Sequence, residues 1–360
     1  MMMASTIRDV TVPERFYSPR DFTYITPSRR RLTEYEAVIC NAQPDMNQFE
    51  TGGWFLLRPD LKDSVDFSST ALRHPNWFAY RDPSGLWQRP YIKLQAQHER
   101  SIAQASEAAT RNGSLLDIAP AWIDVLAPHY EAFASLEWGM FLAHAYVSRE
   151  ALSDTITMAF TFSGMDRLRH QQDIALYSLE LHDQVGSYQE GLGMQAWLAD
   201  EAWQPTRRLV ERLLTLTDWA EIVTVINLVV DPMVTALIGS EFFRTVAPLH
   251  GDVITPVIEM TAEADRLRNL NATRELVKMV TADATKSGEP VPARENLHTL
   301  QGWIDSWCPM AAEALEAFVS LFERVPLGAG KAHAAQARVK TRTRDLLEQV
   351  GLRVPVEVGA

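Results

Sequence analysis

Residues 164–176 read GMDRLRHQQDIAL, and they decide how the rest of the chain is read. On a helix, residues three apart share a face, so Arg167 and His170 project together. That is the spacing at which a bundle helix offers a carboxylate and an imidazole to a metal, but an arginine stands in the carboxylate's place. The pattern returns as Asp265-Arg266-Leu267-Arg268-Asn269, 99 residues after Asp166. There an arginine again takes the carboxylate's place, and Asn269 takes the histidine's. One such string is an ordinary set of helix-surface pairs. Two at this separation, with Glu137 about thirty residues upstream of the first, argue against coincidence.

Outward from this stretch the pattern is helical. Helical periodicity begins at Tyr91 and breaks at RNGS (111–114); it resumes from about Ala121 to Tyr146. Ser148 is expected to cap the next helix, with Glu150 in its first turn, running to about residue 184. At 1.5 Å per residue such a helix exceeds about 45 Å. Further helices are expected at about 205–218, 219–246, 253–283, 297–323 and 331–349, with Asp252 as a cap and GEPVPARE (288–295) as a linker. Alternating strands, GxGxxG, a P-loop and GxSxG are all missing from the sequence. The chain is therefore expected to be all-α. Residues 1–90, rich in proline and aromatics including Trp54, Trp77 and Trp87, are expected to form an extended arm on another surface, ahead of a helical domain at 91–360.

Composition narrows the function classes. The 360 residues carry a formal net charge of −12, which disfavours nucleic acid and anionic membrane; Arg29, Arg30 and Arg31 are too short a run to reverse that. Cys40 and Cys308 are far apart and make no ligand pattern, which suits a reduced cytoplasmic setting. The N-terminus is not expected to be a secretory signal, and the apolar stretch 222–239, interrupted by Asn227, Asp231 and Pro232, is expected to be a buried helix. The aromatic residues of 129–146 are expected in core and subunit interface, and Met158, Phe160, Phe162 and Met165 in bundle packing.

The doubled motif, together with ITPSRRRLTEYE (25–36) and FAYRDPSGLWQRPYIKLQ (78–95), resembles the hydroxylase components of soluble bacterial di-iron monooxygenases, which act on methane, propane, alkenes, phenol and toluene. In that family the catalytic α subunit carries Asp-Glu-x-Arg-His twice, and the β (small) subunit shares its fold without the irons. The resemblance implies a ferritin-like long-helix bundle, with Glu137, Asp166, Arg167, Arg169, His170, Asp265, Arg266, Arg268 and Asn269 as a degenerate former di-iron site. Only Glu137 and His170 would survive as ligands, and near the position of the third helix's glutamate stands Asp231. Arg167 and Arg266 are expected to replace the metal's charge, balanced by Asp166, Asp265 and Glu137, while His144, on the face of Glu137, is expected as a buried, hydrogen-bonded histidine.

The same resemblance implies that this chain binds no metal or cofactor and is not itself catalytic. Its partners would be a di-iron α subunit in an α2β2 or α2β2γ2 complex, a cofactor-less coupling protein, and a reductase carrying FAD and 2Fe-2S that takes electrons from NADH. The arm looks most like the short-alkene and propane branch, with phenol and toluene hydroxylases second.

Overall fold

The computed structural model describes residues 27–39, 67–189 and 191–359. Most of the expected arm, with Trp54 and Cys40, lies outside those residues. Of its described part, Trp77 is buried and Trp87 half-buried. Helix α1 (Glu34–Ile39) is held by a reciprocal cap. The Glu36 carboxylate accepts from the Thr33 amide (2.9 Å), and the Thr33 hydroxyl accepts from the Glu36 amide (3.1 Å).

The remaining chain builds a helical bundle. Helix α2 (Gln88–Asn112) stops where Gly113 turns left-handed at φ 77°. Next come α3 (Pro120–Val125), a π-turn at Leu126–Tyr130, α4 (Glu131–Glu150) and α5 (Asp154–Gln184). Then α6 (Leu192–Ala199), α7 (Gln204–Leu213) and α8 (Trp219–Val225) lead into an unusually long π-helical segment, Ile226–Phe243. After α9 (Arg244–Val246) come α10 (Thr255–Thr281), α11 (Ala293–Glu323), α12 (Ala332–Gln349) and α13 (Val356–Gly359). Among the described residues there is no strand, only an isolated bridge that joins Ala284 to Pro290 of the expected linker.

The helix-start expectation at Ser148 is corrected. Ser148 sits in the last turn of α4, donating to the His144 carbonyl (2.9 Å), and Glu150 ends that helix. The new helix begins after Ser153, whose hydroxyl accepts from the Ile156 amide (3.3 Å). A serine that bonds back into its own helix is not free to cap the next one. Asp252, by contrast, serves the start of α10 as expected, accepting from the amides of Ile254 (3.1 Å) and Thr255 (3.0 Å).

Helices α4 and α5 pack antiparallel, since Glu137 meets Arg167 while Ser148 meets Thr161 at the other end. Helix α10 runs antiparallel to α5 in turn, with Asn269 beside Asp166 and Glu259 beside His170. The π segment supplies the fourth side; all of it except Pro232 and Ala236 is buried. Trp219–His250 is long and apolar enough to cross a membrane by composition, but 89% of its apolar 18-residue stretch is buried inside the bundle. Trp122, Trp203, Trp219 and Trp307 are fully buried around it. One packing expectation fails: Met165 is 43% exposed; Leu176 and Leu179 of α5 and Trp138 and Leu142 of α4 are also exposed.

Candidate functional site

Four helical segments bring six charged side chains to the bundle centre. Helix α4 gives Glu137, α5 gives Arg167 and His170, the π segment gives Asp231, and α10 gives Glu259 and Arg266; each is at least nine-tenths buried. Arg167 reaches the Glu137 carboxylate at 3.2 Å and also bonds Asp231. His170 lies between two glutamates, Nδ1 at 3.3 Å from Glu137 and Nε2 at 2.9 Å from Glu259. Tyr130 donates to Glu259 at 3.0 Å. The Arg266 guanidinium closes the figure more loosely, 3.8 Å from Glu137 and 3.7 Å from Glu259. Glu137, His170, Glu259 and Arg266 thus form a ring of alternating charge, to which Arg167 and Asp231 are joined.

Electrostatics follow from this arrangement. Burial alone would depress the His170 imidazole, but the charges of Glu259 and Glu137 push its pKa up to about 9. Burial would raise the Glu137 carboxyl, yet Arg167 and His170 hold it well below the usual carboxylate range. Glu259 is held down in the same way by His170 and Arg266. Three cations meet three anions, so the cluster is internally neutral.

A second cluster lies beside it, between α5, α10 and α2. Asp265 accepts from Arg268 (2.7 Å) and Arg169 (2.9 Å); Asp166 accepts from Arg268, Asn269 (3.0 Å) and Tyr91 (3.0 Å). Gln95 donates to both carboxylates at 3.1 Å, and Arg169 also pairs with Asp173. Burial and the neighbouring Asp265 charge push Asp166 up to about 6.

The nine expected site residues are therefore split. Glu137, Arg167, His170 and Arg266 share the central cluster, while Asp166, Arg169, Asp265, Arg268 and Asn269 belong to the second. The expectation that Asp166 and Asp265 balance Arg167 and Arg266 is corrected: consecutive helix residues point about 100° apart, so each aspartate turns away from the arginine that follows it. Asp231 and Glu259 take that balancing role. Glu259 was missed, although it stands seven residues before Arg266 and so on the same helix face. His144 is buried and donates to the Met140 carbonyl (2.8 Å) of its own helix.

The donors present do not fit a di-iron centre. Two guanidiniums that cannot deprotonate stand at the centre, and Glu137, Glu259, Asp231 and His170 are already engaged by fixed charges. Among the described residues no group of three or more His, Cys, Asp or Glu is arranged to hold a metal ion. The backbone is fitted to this cluster: a Cβ at Gly239 would lie 2.3 Å from Glu259 Oε2. Because His170 and Tyr130 pin that carboxylate, Gly239→Ala should cost about 1–3 kcal/mol, read as a lowered thermal midpoint. An unchanged midpoint would show that the cluster yields freely.

This long-helix bundle has clear counterparts. A family model described as methane/phenol/alkene hydroxylase matches residues 60–284. The chain belongs to this family. Along nearly its whole length it resembles small or β subunits of hydroxylase components. It is 30% identical over 346 residues to the propane 2-monooxygenase hydroxylase component small subunit of Rhodococcus jostii, covering 94% of this chain and 91% of that one. It is 28% identical over 339 residues to the methane monooxygenase component A beta chain of Methylococcus capsulatus, covering 92% and 86%. The crystal structure of phenol hydroxylase from Pseudomonas sp. OX1 superimposes with a TM-score of 0.73 at 20% identity, covering 89% of this chain and 91% of that one. The fold is ferritin-like.

Proposed function

We propose that this chain is the metal-free, non-catalytic β subunit of the hydroxylase of a soluble di-iron monooxygenase, and that its central cluster is a di-iron site dismantled and refilled with charge. The observation that carries this reading is the buried central cluster, in which Arg167 and Arg266 are neutralised by Glu137, Asp231 and Glu259. A companion α subunit would hold two irons and insert one oxygen atom of O2 into a small hydrocarbon. The complex would be α2β2 or α2β2γ2 and cytoplasmic, with a coupling protein and an NADH-dependent reductase bearing FAD and 2Fe-2S.

This chain's part is to buttress the α subunit's helices. The exposed apolar residues of α4 and α5 support that role, because apolar surface of this kind is ordinarily covered by association. The N-terminal arm is assigned to the same partner. A short alkene or propane is the proposed substrate class, supported by relatives named propane 2-monooxygenase at 27–30% identity.

The test is metal analysis of the co-purified complex. Two irons per αβ unit are expected, retained when Glu137 and His170 are replaced and lost when the α subunit's carboxylate ligands are replaced. Iron held by this chain on its own would overturn the reading. The chain expressed without its partner should be poorly soluble.

A further inference from the structure

Five cations where the arm meets the bundle have no counter-charge. Arg29, Arg30 and Arg31 are exposed just ahead of α1, and Arg89 and Lys93 are exposed in the first two turns of α2. Among the described residues none of the five has an ion-pair partner. Exposed arginines elsewhere do: Arg208 pairs with Glu313, Arg324 with Asp200, and Arg338 and Arg342 with Glu241. In a chain of net charge −12 carboxylates are plentiful, so five bare cations in one place ask for a reason. Arg89 and Lys93 do not serve their own helix, because the dipole at a helix N-terminus favours acidic side chains and α2 has none in its first turn.

These cations border a groove of about 610 Å3, whose lining runs from Arg29 and Thr33 at the arm to Trp87 and Pro90 at the start of α2. Arg30 and Arg31 lie in the chain between Arg29 and Thr33, while Arg89 adjoins Pro90 and Lys93 follows one turn later. Two further charges in the lining are already spent. Arg81 is bound to buried Glu36 at 2.9 Å, and buried Asp82 accepts from the Ser84 amide at 3.0 Å. Glu34 is the one exposed carboxylate left in the described lining, so groove and rim are strongly positive.

We propose that this groove seats an acidic, extended segment of the companion subunit, its carboxylates held by the five cations and an apolar side chain laid against half-buried Trp87. A guanidinium offers a carboxylate two parallel donors, so an arginine rim selects carboxylates by geometry as well as by charge. The acidic balance of the chain as a whole disfavours such a segment elsewhere on the surface. Exposed ion pairs are individually weak and screened by salt, so the seat fixes where the segment lies more than how tightly the subunits hold. The inference rests on this chain being a β subunit with a companion, and it names the place at which the arm meets that partner.

The experiment uses the intact complex of the full-length chain with its companion subunit. A carbodiimide joins an amine to a carboxylate only where the two touch, and Lys93 supplies an amine at the groove. Arg29→Lys and Arg31→Lys keep the charge and add two more. Cross-links from these three positions, mapped by mass spectrometry, should fall within one short acidic stretch of the companion subunit. Separately, Arg29→Glu combined with Arg31→Glu should raise the Kd of the complex about tenfold at ~0.05 M salt and far less at ~0.5 M, read by sedimentation on dilution. Both arginines are exposed, so the charge-reversed chain should fold, and the cross-linking does not depend on it. Cross-links that stay within this chain, or run to an added coupling protein or reductase, would overturn the proposal, as would a Kd unchanged by charge reversal at low salt. A chain that forms no complex with a companion subunit would sink the β-subunit reading and this inference together. A stable complex in which the groove amines find no partner carboxylate sinks this inference alone.

Discussion

Replacing Arg167 by methionine should lower the unfolding free energy by about 3–5 kcal/mol, the cost of leaving buried charges without their partner. Arg167 is 2% exposed and bonds both Glu137 and Asp231. Methionine fills much of the volume and supplies no charge, so three carboxylates would remain buried beside a single imidazolium and a loosely placed arginine. The control is the double variant Arg167→Met, Asp231→Asn, which leaves Glu137 and Glu259 balanced by His170 and Arg266 and should regain at least half of the loss. Denaturant unfolding of the purified complex measures both. A single variant within about 1 kcal/mol of wild type, the size of an ordinary surface substitution, would mean that the cluster contributes little to holding the bundle.

The second large effect is a dependence on pH. The folded-state pKa of His170 is raised from 6.5 to about 9. A group raised in this way contributes stability that is fully present below about pH 6.5 and lost as pH climbs through about 9. The contribution is on the order of 3 kcal/mol. Wild-type stability should therefore fall across that window relative to a His170→Gln variant, which is weaker at pH 6 but flat above it. Asp166, raised to about 6, loses its effect below the window and is unchanged in the variant, so the difference isolates the imidazole. Parallel curves for the two proteins would rule out a charged His170.

The doubled DRLR string was sufficient to read the bundle, the long helices around Arg167 and Arg266, and the family. It was insufficient to pair the charges. Sequence spacing places residues on a helix face, but which face meets which neighbour depends on how the helices are rotated in the bundle. Asp166 and Asp265 therefore appeared to serve the wrong arginines. Glu259 was legible in principle from its seven-residue offset to Arg266, but a motif centred on 265–269 drew attention forward along the chain instead of back. The π-helical course of Ile226–Phe243 has no signature in residue type; Pro232 marks only that an ordinary helix is disturbed there.

The alternating ring also fixes how the helices sit lengthwise. A slip of α5 by one turn against α4 or α10 would move Arg167 and His170 about 5.4 Å along the axis, past Glu137, Asp231 and Glu259. Apolar faces tolerate such sliding, since one leucine replaces another at modest cost. A buried charge has only one partner position. The ring, with Arg167 and Asp231 joined to it, therefore works as a dowel through four segments, setting the register of the surfaces that α4 and α5 turn outward.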